Sequence, residues 1–255
     1  MIVFQNKKKI VLHVPKTGGT FLKSILLNTK KENFHILKGN NSFQNNIIDN
    51  SHLTFAEAKK IGILTNIDSN YKIYSFVRNV KERLNSSIHE CLRQNLLNTN
   101  TKGFYNDNEL KSSLDIIINR IEKQFKNEWK NYEIALTHFK PQFLYVADSS
   151  KILDCEILKN DNLVLKFFKE DLEIEKLEKI DFKKAKNYRS VIPYSNNLIS
   201  NIFLGKLGKI NYLMFRFLNY KLKKKIDFSK LFKKQFDKLL LFYKEDEKIV
   251  KKIYG

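Results

Sequence analysis

The sequence predicts an α/β protein: a central parallel sheet flanked by helices, with a helical C-terminal extension. Three observations point to it. Short β-branched runs alternate with segments of helical spacing, the pattern of a parallel sheet covered on both faces. One run stops at Pro15 and leads through two glycines into a helix, a strand–loop–helix layout. Near the C-terminus the apolar residues recur at helical spacing. With 255 residues, 42% of them hydrophobic, and only 8 Gly and 3 Pro, the chain can bury one substantial core and is neither collagenous nor low-complexity. We expect residues 1–194 to form that core and residues 195–255 to form helices packed on it.

Residues 9–14 (KIVLHV) read as a buried strand with a sharp stop at Pro15, and 21–28 as the helix that follows. Residues 34–37 are a second strand ending before Gly39, and the Asn-rich piece 40–50 reads as a loop. Thr54-Phe55-Ala56-Glu57 matches a capping box, so a short helix runs from there to about Gly62. Residues 71–77 (YKIYSFV) make the strongest strand; Arg78 marks its end, and a polar-faced helix is expected over 81–97. A further helix over 110–125 places Leu114, Ile117, Ile118, Ile121 and Phe125 on one face. Residues 143–146 and 163–168 read as two more strands. Two amphipathic helices, 198–220 and 229–252, flank the basic run 221–225; the first aligns Phe203, Leu207, Ile210, Leu213, Met214 and Phe217.

The charge of +20, from 47 Lys+Arg against 27 Asp+Glu, favours an anionic partner, whether nucleotide, acidic glycan, nucleic acid or membrane surface. The excess is mostly lysine and accompanies many Asn, Ile and Phe, as AT-rich coding also produces, so charge alone does not choose among them. No recognised nucleic-acid motif occurs, and nucleic acid is not expected as a partner. Cys91 and Cys155 form no disulfide framework, and no CxxC or Cys/His cluster suggests zinc. The first residues carry no apolar signal core, and Lys206, Lys209 and Arg216 interrupt the most apolar late stretch. The expectation is a cytoplasmic protein, with the basic C-terminal helices as a peripheral membrane contact.

The segment Pro15-Lys16-Thr17-Gly18-Gly19-Thr20 carries the chemistry. Adjacent glycines let backbone N–H groups approach an anion, and a helix N-terminus adds partial positive charge. Lys16 supplies a full charge, and Thr17 and Thr20 supply hydroxyl donors. An ATP-type P-loop places its lysine after the second glycine, whereas here it precedes both.

Residues 13–20 (HVPKTGGT) resemble the 5′-phosphosulfate loop of the carbohydrate sulfotransferases that include the heparan sulfate 2-O- and chondroitin 4-O-sulfotransferases. Residues 77–86 (VRNVKERLNS) resemble the same family's 3′-phosphate element, with Val80 where proline is usual. The resemblance implies a P-loop-like sulfotransferase fold, with 3′-phosphoadenosine 5′-phosphosulfate (PAPS) as donor and adenosine 3′,5′-bisphosphate (PAP) as product. It implies no metal. Lys16, Thr17, Gly18, Gly19, Thr20, Arg78 and Ser86 would bind the donor, and a carbohydrate or other hydroxyl compound would be the acceptor.

His52 stands where the family carries its general base, and Lys16 would neutralise the leaving phosphate. His138, in a His-Phe-Lys-Pro-Gln piece, resembles a residue lining the acceptor or donor site. Arg189 and Ser190 resemble a loop closing on the nucleotide. Residues 163–172 and Tyr243–Asp246 resemble later family segments. From the residues alone, His13 reads as a core residue of its strand. Two other classes stay open: a nucleotide phosphotransferase, with Asp148 or Asp171 as its metal-binding carboxylate, and a non-catalytic basic anion binder.

Overall fold

The computed structural model describes residues 1–28, 33–43, 46–64, 67, 69–98, 105–130, 133–174 and 226–254. Its strands are β1 (Ile2–Phe4), β2 (Lys9–Leu12), β3 (His35–Ile36), β4 (Asn40–Phe43), β5 (Asn46–Asp49), β6 (Lys72–Val77) and β7 (Lys151–Asp154). Its helices are α1 (Gly19–Asn28), α2 (Phe55–Lys60), α3 (Val80–Arg93), α4 (Asp107–Lys126), α5 (Phe143–Val146), α6 (Asp161–Lys166), α7 (Phe228–Leu231), α8 (Lys233–Leu240) and α9 (Lys244–Tyr254). The described residues fall into two units: 1–80, 140–174 and 245–254 in the first, 81–139 and 226–244 in the second. The expected helix over 198–220, the basic run 221–225, Arg189 and Ser190 lie outside the described residues.

The first unit is built on a five-stranded sheet in the order β3–β1–β2–β6–β7. β2, β6 and β7 are parallel neighbours, but β1 runs antiparallel to both β2 and β3. The α/β class holds, while the expected all-parallel sheet is corrected to a mixed one. The reason is the turn after β1: Lys8 N–H donates to Gln5 O at 3.1 Å, and Lys8 takes φ 50°. A turn this short can join only antiparallel strands.

Strand alternation divides the apolar residues between two faces. Ile2, Phe4, Val11, Tyr74 and Phe76 join Leu22 and Ile25 of α1 in one cluster, together with Phe167 and Phe168. Val3, Ile10, Leu12 and Ile73 join Leu53, Phe55, Ala58 and Tyr145 in another. Each fully buried aliphatic side chain contributes ~2 kcal/mol, so both faces help hold β2 and β6 in place.

The 143–146 and 163–168 segments are helical rather than extended. Short apolar runs do not distinguish the two states, and here capping groups decide. The Asn160 side chain accepts from Asn162 and Leu163 N–H and starts α6, which passes into a single π-turn at Phe167–Asp171. The Asp246 carboxylate meets the N–H groups that open α5. The Asn-rich 40–50 piece, expected as a loop, holds the β4–β5 hairpin. The capping box at α2 forms as its sequence predicts, with Thr54 accepting from Glu57 N–H and Glu57 reaching back to Thr54 N–H.

In the second unit, α4 begins earlier than its apolar spacing suggested. Asn106 and Glu109 form another capping box, and Leu110, Leu114, Ile117, Ile118 and Ile121 are buried along one face. Phe125 stacks on Phe242 with ring centroids 5.5 Å apart and meets Tyr243 edge-on at 5.3 Å. The guanidinium of fully buried Arg83 lies 5.4 Å from the Tyr243 ring centre, and its Nη1 donates to His138 O at 3.4 Å.

Candidate functional site

β2 ends at Leu12, and the chain turns through residues 15–18 into α1. Backbone conformation shows why this loop needs its residues. Gly18 has φ 95°, a region that side chains disfavour. Gly19, the first residue of α1, is required by proximity: a Cβ there would lie 1.8 Å from Cδ2 of His13. Thr17 is buried, and its hydroxyl donates to Val14 O at 2.9 Å, so it closes the turn. Lys16 is half-buried with φ 65°, an uncommon conformation for a residue with a side chain. Thr20 is exposed, and the first turn of α1 holds no acidic residue to oppose an incoming anion.

Arg78 follows the last residue of β6, the strand that pairs with β2. Its Nη1 donates to the Lys16 carbonyl at 3.3 Å. Arg78 and the glycine loop, both singled out in the sequence, therefore meet within the first unit. The Arg78 peptide is held by Gln142, whose Oε1 accepts from Arg78 N–H at 2.8 Å and whose Nε2 donates to Arg78 O at 3.0 Å.

His52 closes a short 3-10 turn, Asn50–His52, and is only 7% exposed. Its Nδ1 is 3.1 Å from His13 O, which assigns the ring proton to Nδ1 and leaves Nε2 as acceptor. Asp49 Oδ2 is 3.8 Å from Nε2, and the His13 ring centre is 4.2 Å from that of His52. Tyr145 donates to His52 O at 2.7 Å. The imidazole pKa is depressed to about 3, mainly by burial; the hydrogen bond to the His13 carbonyl opposes the shift, and nearby positive charges including Lys23 and Lys16 add to it. The ring is neutral at physiological pH.

Ser86 and His138 belong to the second unit. Ser86 is half-buried on α3, while the neighbouring Ser87 hydroxyl donates to His138 O at 2.7 Å. That carbonyl, shared with Arg83, ties α3 to the turn at Ile134–Phe139. Asp171 is paired with Lys151 at 2.6 Å. The carboxylates placed closest to one another with a thiol are instead Asp154 and Glu156: with Cys155 they put one donor atom each within 4.8 Å of one another, the one such group among the described residues.

Two residues of the site exceed the sequence reading. His13, read as a core residue, contacts both the loop glycine and His52. Gln142 closes the His-Phe-Lys-Pro-Gln piece; the polar side chain directly after Pro141 was its one visible signal. No helix of the described residues is long and apolar enough to cross a membrane. No protein-family model, curated protein or solved structure matches the chain.

Proposed function

We propose that the chain is a sulfotransferase moving a sulfuryl group from 3′-phosphoadenosine 5′-phosphosulfate to a hydroxyl of a carbohydrate-type acceptor. One observation carries the reading: the 3.3 Å hydrogen bond from Arg78 to the carbonyl of Lys16, 62 residues away in the chain. It brings a guanidinium, suited to bidentate phosphate recognition, to a glycine turn at a helix N-terminus. Lys16 and the amides opening α1 would hold the donor's 5′ end, with Arg78 at its second phosphate.

The acceptor oxygen attacks sulfur in line, and the bond from sulfur to the bridging phosphate oxygen breaks. Lys16 neutralises the charge growing on that oxygen. The hydroxyl proton passes to His52 Nε2, where the Asp49 carboxylate at 3.8 Å favours the imidazolium. In the free protein His52 is neutral, as a base must be, but weak. Negative charge on a bound donor raises its pKa toward the working range.

Thermal melting tests this. A ligand at 100 times its Kd stabilises by ~2.7 kcal/mol, worth about 5–10 °C in a chain of this size. Adenosine 3′,5′-bisphosphate should give that shift, and ATP with Mg2+ a much smaller one. No shift at millimolar bisphosphate removes the reading. Equal shifts favour the phosphotransferase alternative, for which Asp154 at the end of β7 is the better-placed metal ligand.

A further inference from the structure

We infer that Gln142 and Asp246 are positioning residues for Arg78, so that helix α9 sets the geometry of the anion-binding turn; the inference rests on the sulfotransferase reading above. Gln142 is completely buried, and both polar ends of its side chain serve one peptide, accepting from Arg78 N–H at 2.8 Å and donating to Arg78 O at 3.0 Å. The amide thus takes the place of a neighbouring strand just where β6 has ended.

Gln142 is fixed in turn. Its backbone N–H donates to Asp246 Oδ2 at 2.9 Å, and the next N–H, of Phe143, donates to Oδ1 at 2.9 Å. Asp246 lies on α9, 104 residues further along the chain, and is fully buried. A carboxylate accepting two adjacent amides makes charge-assisted bonds that an uncharged side chain cannot reproduce. The linkage therefore runs from the Asp246 carboxylate to the Gln142 backbone, from the Gln142 side chain to the Arg78 backbone, and from the Arg78 guanidinium to the Lys16 carbonyl. Fixing the Arg78 peptide at both N–H and C=O fixes the point and direction from which its side chain departs, so less backbone ordering is left to be done when an anion arrives.

A thermodynamic cycle separates positioning from general support of the fold. Gln142→Met keeps the volume and removes both bonds to Arg78. We expect it to raise the Kd of adenosine 3′,5′-bisphosphate ~10-fold in the otherwise unchanged full chain, measured by calorimetry, and less than ~2-fold in an Arg78→Ala background. Asp246→Asn, which leaves one amide facing an NH2 group, is put through the same cycle and serves if Gln142→Met does not fold. Equal losses in the two backgrounds, or an unchanged Kd in a folded Gln142→Met protein, overturn the inference while leaving the sulfotransferase reading intact. An unmodified chain that fails to bind the bisphosphate removes both.

Discussion

Acidification should destabilise this protein through His52, and the structure sets the size of the effect. The imidazole moves from an ordinary pKa of 6.5 to about 3 on folding, first because it is buried and then because positive charges surround it. Below pH 6.5 the unfolded chain takes up a proton that the folded one refuses, so stability is fully present above that value and falls as pH falls toward 3. The slope is ~1.4 kcal/mol per pH unit inside the window, which makes the loss ~2 kcal/mol between pH 7.5 and pH 5. His52→Asn is the control, because its amide NH2 takes the place of Nδ1 against His13 O without titrating. Urea unfolding followed by circular dichroism at both pH values should show the native chain losing ~2 kcal/mol more than the variant. Equal losses would mean that His52 titrates normally, and the buried, neutral base would have to be abandoned.

Gly19→Ala drives a methyl group into the His13 ring and should cost ~1–3 kcal/mol by thermal melting; His13→Ala in the same chain should recover most of it, and no recovery refutes the contact. Lys140 is 1% exposed and paired with Glu57, so Glu57→Gln, which removes the negative charge that offsets a buried ammonium, should cost ~3 kcal/mol in urea unfolding. Lys140→Met should cost less than ~1 kcal/mol, since Glu57 keeps access to water; the reverse order would refute this account. Arg78→Lys keeps the charge and loses the fork, and should weaken bisphosphate binding ~10-fold by calorimetry. An unchanged affinity would place Arg78 outside the site.

What the sequence disclosed was local. The Thr54–Glu57 capping box, the β-branched run of β2 and the glycine pair where α1 opens are each decided within a few residues, and α2, β2 and α1 form there. Distant partners decided the rest. Residues 143–146 are helical because a carboxylate on α9 meets their first amides, and no local pattern announces that. The β1 strand and its turn contain no Gly or Pro signal, so the reversal that makes the sheet mixed went unseen. His13 illustrates the same limit: its strand position implied burial, but its contact with His52 depends on where the chain returns 39 residues later.

The left-handed backbone of Lys16 has an evolutionary corollary. A lysine in that region is disfavoured by ~1–2 kcal/mol, and glycine, despite its extra freedom when unfolded, fits there at least as well. Selection for thermal endurance alone would thus tend to drift toward Lys16→Gly, yielding a sturdier chain stripped of its central cation. A library ranked first by melting temperature and then by ligand capture should find the two rankings opposed at this position, and it is there that retained lysine would mark a residue kept for what it does.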